Sequence, residues 1–486
     1  MDLINTKILL FLDYPDIINA CKGVPDFFRL CNKPYFWALK ADRDFNISAT
    51  ELLLVPGSNN KKRYEFIYNI KDPNKGLVEA AKIGTLSLVK YFIKQEAYLH
   101  AWNELALRSA ANEGRLDVVK YLVEQGANLH NEDEWALKEA ADNGHLDVVK
   151  YLVEQGADVH ARVEMALRSA AMYGHLNVVK YLIEQGADLH AYNEDALKWS
   201  AEKGHLDIVK YLVEQGADLH ARNEEVLRCA AEKGHLDVVK YLVEKKADLH
   251  ARNEDALRWA AIKGHLIVVK YLVEQGADLH VENEYPLRSA ATGGYLDVVK
   301  YLVEQGADLH VWNEDALRSA AGNGHLDIIK YLVEQGADLH VKNEAVLRLT
   351  ASNGRFDIVK YLVEQGANGF STALAWAAGN GHLKIVKYLI KRGANPRYQD
   401  DLALIRCAEN NRINVIKYLV KHGANIHARN EEALRRAAKY GHLDVVKYLV
   451  EQGANIHADD GEALSEANRK SHYNVVKYLI ECGAGE

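Results

Sequence analysis

The sequence predicts an all-α fold, a solenoid of about fourteen helix–turn–helix repeats preceded by a small helical N-terminal segment. Two observations point there. A glycine recurs every thirty residues, at Gly84, Gly114, Gly144, Gly174, Gly204, Gly234, Gly264, Gly294, Gly324 and Gly354, then at Gly381 after a step of 27. Asn411, Gly441 and Ser471 fill the same slot afterwards. Between successive glycines the apolar residues recur at helical spacing, in segments too short to close a core of their own, so neighbouring repeats must supply it.

Residues 1–75 come first and lack the period. They hold Pro15, Pro25, Pro34, Pro56 and Pro73, five of the seven prolines, and six of the nine phenylalanines. The polar stretch from Pro56 to Lys62 reads as a loop or linker. The array is expected over residues 76–486.

Each repeat can be read locally, with residues 193–216 as the example. Asn193 is placed to cap a first helix, with Glu194 and Asp195 at its positive end. Leu197, Ser200 and Ala201 give that helix a slim inner face, and Gly204 stops it in the left-handed region. A second helix is predicted from about Leu206 to Gln215, with Ile208 and Leu212, and Val209 and Val213, as i,i+4 partners. Gly216 ends it. Helices this short are marginal alone in water, so stacking must hold them.

The recurring segment ALRxAAxxGHLDVVKYLVEQGADLHA resembles the ankyrin consensus, and Tyr285-Pro286-Leu287-Arg288 comes closest to its T-P-L-H start. The repeats are three residues shorter than that consensus, and the loss falls between GAD and the first helix. The resemblance implies a β-hairpin finger there, here a stubby one. It also implies a protein–protein interaction array that binds its target on a concave face. The strict thirty-residue repeats look like those of ankyrin proteins in giant DNA viruses of the mimivirus type, which implies a host-cell cytoplasmic location.

The N-terminal segment resembles an F-box, through Ile8, Leu9, Leu12, Asp16, Ile17, Phe28 and Trp37 in that order. Asp2-Leu3-Ile4 stands where the F-box Leu-Pro opening would be. This resemblance implies contact with the adaptor subunit of a cullin-type ubiquitin ligase. A second reading makes the same helices a cap over the open apolar end of the array.

Several classes are set aside. The net charge of −8 argues against a general nucleic-acid binder. No apolar run reaches membrane-spanning length. The five cysteines, Cys21, Cys31, Cys229, Cys407 and Cys482, are scattered and never in C-x-x-C spacing, so neither a disulfide framework nor a zinc site is expected, and a reducing compartment fits. All but His422 of the 21 histidines fall in two repeat slots, after the glycine or after Asp-Leu, and read as structural. No catalytic or phosphate-binding motif appears, so neither enzyme activity nor a cofactor is expected. The protein is expected to be a cytoplasmic monomer.

Slots that vary between repeats are free for recognition. Large apolar residues occupy them at Trp102, Leu105, Trp135, Met165, Met172, Tyr173 and Tyr192, and again at Tyr285 and Trp312. Aromatic anchors of this kind favour protein binding. A weak point is expected near residues 366–412, where the finger is cut short and Asn411 replaces glycine.

Overall fold

The structure, a computed structural model, describes residues 2–485. They are helical throughout, with no strand among the described residues. Contacts sort the chain into two compact bodies, Met1–Asp248 and Leu249–Glu486.

The first body opens with six helices, α1 (Asp2–Leu10), α2 (Tyr14–Gly23), α3 (Pro25–Cys31), α4 (Pro34–Phe45), α5 (Ala49–Leu52) and α6 (Asn60–Tyr68). Prolines stand in the first turn of α2, α3 and α4, where the missing N–H costs no hydrogen bond. The loop expected over Pro56–Lys62 lies at residues 53–59 instead, because α6 begins at Asn60, capped by Asn59 through Lys62 N. An aromatic core holds these helices together. Trp37 and Tyr64 are buried with ring centroids 5.3 Å apart, Phe45 lies 5.1 Å from Tyr64, and the Tyr64 hydroxyl donates to Asp44 at 2.6 Å.

One cysteine expectation is corrected. Cys21 and Cys31 form a disulfide, with Cα atoms 6.2 Å apart. The cause is local: α2 and α3 fold back on one another across Val24, which brings the ends of both helices together.

The helical segment then meets the first repeat. Phe45 packs edge-on to Tyr91 at 5.4 Å. The Glu51 carboxylate accepts from the Ser87 amide at 3.3 Å and from its hydroxyl at 3.0 Å, at the start of the second helix of that repeat.

Fourteen second helices follow, each nine residues long, from Leu86–Lys94 to Tyr473–Glu481. In the repeat around Gly204 the second helix is Leu206–Glu214, and Ile208, Val209 and Leu212 are fully enclosed. Each such side chain contributes on the order of 1.5–3 kcal/mol. Leu197, Ser200 and Ala201 form the buried inner face of the first helix, as its spacing requires.

The histidine after the glycine is an inter-repeat fastener. His235 Nε2 donates to the carbonyl of Glu202, 33 residues earlier, at 2.9 Å. Its ring also lies over Gly204, where a Cβ would sit 2.5 Å from Nδ1. Gly204 is therefore required twice, by that contact and by its φ of 80°. Arg115 and Arg355 do the same work where histidine is absent, donating to the carbonyls of Lys82 and Asn323.

Within each body, lysines and tyrosines of successive second helices are also paired between repeats. Lys120 lies over the ring of Tyr151 at 5.8 Å, and Lys300 over Tyr331 at the same distance. The tyrosines pack and the lysines stay at the surface.

Candidate protein-interaction surface

The finger between repeats is tighter than expected. In place of a hairpin it is one left-handed turn, Tyr192 (φ 51°), Asn193 (φ 58°) and Glu194 (φ 68°), after which the chain turns right-handed. Asn193 is thus not the N-cap that its position suggested. It occupies the middle of the left-handed turn, a region that Asn tolerates better than most residues. Deleting three residues from the finger leaves no length for two strands, and this turn reverses the chain within three residues.

The histidine before the turn closes it. His190 Nδ1 contacts Glu194 Oε1 at 2.5 Å, and Glu194 is buried. Equivalent bonds join His160 to Glu164, His310 to Glu314 and His427 to Glu431, each at 2.5 Å. The bond to Glu194 holds the imidazole above its ordinary pKa, and His160, His280, His310 and His340 are raised by the same cause. These histidines therefore bond a carboxylate of their own turn. The Glu164 carboxylate also accepts from the Asp188 amide at 3.1 Å, which ties the turn to the following repeat.

Among the described residues no group of three or more His, Cys, Asp or Glu side chains could hold a metal ion.

These turns and the first helices present the varied side chains. In Met1–Asp248, Trp102 is half exposed at 50% and edges an open groove of about 860 Å³. Phe66, Ile70, Val78 and Leu105 give it apolar walls, and Lys75 lies at its side. Leu105, half-buried, also borders a smaller hollow of about 210 Å³ lined by Lys82, Arg108, Ser109 and Glu139. Tyr173 and Tyr192 stay exposed, while Met165 and Met172 are half-buried.

Trp135 is enclosed instead of free. Arg108, Arg162 and Lys138 lie 4.9, 5.0 and 5.3 Å from its ring, and its Nε1 donates to Glu139 at 2.5 Å. Arg168 likewise covers one face of Tyr192 at 4.4 Å. In Leu249–Glu486, Tyr285 stands between Arg258 at 4.4 Å and Arg288 at 5.3 Å, and Trp312 is 55% exposed with Arg288 at 4.3 Å. The aromatics are thus interleaved with arginines, many from a neighbouring repeat, a pairing that depends on residues 24 or 27 positions apart and is not legible in any one repeat.

Sequence reasoning missed Val163. It is exposed and left-handed (φ 56°), in a slot that Asn or Asp otherwise fills in the left-handed turns. The signal was there, as the one β-branched residue in an Asn slot.

The F-box-like residues divide. Leu9, Ile17 and Trp37 are buried in the helical core, and the Trp37 indole donates to the Cys31 carbonyl at 2.7 Å. Leu12 is half-buried, whereas Ile8, Asp16 and Phe28 are exposed. Phe11 is exposed beside them with Arg43 over its ring at 3.8 Å.

A stack of short helix pairs, with a constant frame and varied side chains at the turns, defines a repeat array of the protein-interaction class. A family model of ankyrin repeats in three copies matches residues 77–163, 162–223, 219–283, 280–343, 347–430 and 404–485. The chain belongs to the ankyrin-repeat family, whose arrays are in general non-enzymatic interaction scaffolds. No curated protein matches the chain. No helix among the described residues is long and apolar enough to cross a membrane.

Proposed function

We propose that the protein holds a target protein through the apolar groove bordered by Trp102 and Leu105, with Tyr173, Tyr192 and Val163 as further contacts. The carrying observation is a large half-exposed aromatic at the edge of an open apolar groove, the arrangement that interface hot spots favour. Met165, Met172 and Trp135, each half-buried, belong to the same surface. Residues 1–75 act as a separate module beside the array of 76–486.

In its sharpest form the reading makes the protein a substrate adaptor. The exposed Ile8, Phe11 and Phe28 would meet the adaptor subunit of a cullin-type ubiquitin ligase, in a host cytoplasm if the resemblance to giant-virus ankyrin proteins extends to origin. The second reading is a plain scaffold or competitor, in which the helices only cap the array. The contacts Phe45–Tyr91 and Glu51–Ser87 favour it, because they bind the segment to the first repeat.

A pulldown of the purified ligase adaptor subunit with the full chain separates them. The adaptor reading expects capture that is lost in an Ile8→Asp, Phe28→Asp variant of unchanged melting temperature. No capture by the unaltered chain leaves the scaffold reading.

A further inference from the structure

Leu249–Glu486 contains a second hollow, made by small residues where other repeats carry long ones. The pair before the glycine is Ile262-Lys263 in one repeat, Thr292-Gly293 in the next and Gly322-Asn323 in the one after. Gly293 has a specific cause. Tyr295 stands in the usual histidine slot, and a Cβ on Gly293 would collide with its ring. The resulting hollow measures about 370 Å³. Ile262 and the Tyr285 ring form its apolar sides, Ser289, Thr292 and Ser319 its small polar lining, and the ion-paired Arg288 and Asp315 line it as well.

Arg288 borders this hollow with its guanidinium held in place. Trp312 and Tyr285 lie against it at 4.3 and 5.3 Å, and Nη1 donates to Asp315 at 3.1 Å. Nε is buried with no hydrogen-bond partner among the described residues, and the guanidinium's hydrogen bond to Asp315 uses Nη1, not Nη2. Asp315 is also bound by Arg318, so two guanidinium groups share one carboxylate and a positive charge is left over. A fixed, aromatic-flanked arginine with a donor to give, beside an apolar recess, calls for a ligand that is apolar and anionic at neighbouring positions.

We propose that this hollow docks a partner-protein segment in which an aliphatic or aromatic side chain stands next to an aspartate or glutamate. The apolar side chain enters between Ile262 and Tyr285, and the carboxylate accepts from Arg288 Nη2. Trp312 closes over the segment from the side. The proposal rests on the reading of the chain as a protein-binding array, and it is independent of the groove at Trp102.

The test pans a displayed library of random linear peptides on the full chain, then measures a synthetic peptide of the enriched pattern by fluorescence anisotropy. The expected pattern pairs an apolar residue with Asp or Glu within a few positions. Thr292→Trp, which fills the hollow from an exposed position, and Arg288→Gln should each weaken that peptide about tenfold or more, while Trp102→Ala leaves it unchanged. Melting curves of the variants check that each is folded. Enriched peptides without an acidic residue, or binding indifferent to Thr292→Trp, overturn the proposal. Peptides sensitive only to Trp102→Ala overturn it while supporting the first groove, and a library with no enrichment counts against both.

Discussion

His190 Nδ1 lies 2.5 Å from Oε1 of the buried Glu194, and this bond spans a complete left-handed turn of backbone. The same arrangement recurs in successive repeats, so its pH dependence is multiplied. A histidine whose pKa is raised by folding adds stability below its unfolded value, about 6.5, and loses that contribution as the pH rises through the raised value. Five such histidines are raised, His160, His190, His280, His310 and His340. The melting temperature should therefore fall as pH increases from about 6.5 upward through those raised values. Glu194→Gln and Glu314→Gln together should flatten that slope. A melting temperature constant across this window would contradict the pairing.

The fastener between Gly204 and His235 predicts strong non-additivity. Gly204→Ala should cost about 1–3 kcal/mol, from the positive φ and the collision with the imidazole. His235→Ala removes the bond to the Glu202 carbonyl, worth about 1 kcal/mol. The double variant should be less damaged than the sum, because the ring that the added methyl group would strike is gone. Urea unfolding of the four proteins measures the coupling.

Val163 bears strain that its counterparts do not. A β-branched residue at φ 56° is disfavoured, so Val163→Asn should stabilise the fold by about 1 kcal/mol. If Val163 also contacts the target, the same substitution weakens binding while raising the melting temperature. An unchanged or lowered melting temperature would show that the turn carries no strain there.

Trp102 and Trp135 should separate in experiment although both occupy variable slots. Trp102→Ala should weaken target binding about tenfold with little change in stability, since its ring is half exposed at the groove. Trp135→Ala removes a ring packed against three cationic side chains and should cost about 1–3 kcal/mol of stability. Equal melting temperatures for the two variants would remove the distinction.

The shortened finger gives a local prediction. Between Gly366 and Ala373 a single left-handed residue, Gly369, replaces the three-residue turn, and Ser371 takes the role of the buried glutamate by accepting from the Asn395 amide at 2.8 Å. Asn411 then holds φ 57° in the glycine slot. Amides of residues 366–412 should exchange faster than those of 296–345, and Asn411→Gly should raise the melting temperature. Uniform protection over both stretches would refute it.

The frame was legible because it repeats. The step between glycines gave the helix pairs, and Gly204 and Leu197 behave as their slots require. The turn was less legible. Asn193 next to Glu194 has the composition of a helix start, and only the backbone reveals that both residues lie in the left-handed region, with the carboxylate turned back to His190. Surface contacts were hidden for another reason. The cations that enclose Trp135 come from its own helix and from both neighbouring repeats, Arg108, Lys138 and Arg162, so its exposure depends on three stretches of chain at once. Motif spacing does not pair Cys21 with Cys31; the packing of two short helices brings them together.

The histidine fastener also bears on how such a chain can change in length. His175 reaches the carbonyl of Asp142, and His205 that of Met172, each across 33 residues. Where the chain has lost three residues, His382 reaches Ser352 across 30, and the bond survives. A thirty-residue block copied or excised in frame within either body therefore recreates the same bond at its seam, whichever repeats become adjacent. The recognition residues travel with each block as cargo, so recombination between repeats can shuffle binding surfaces without having to reinvent the joint.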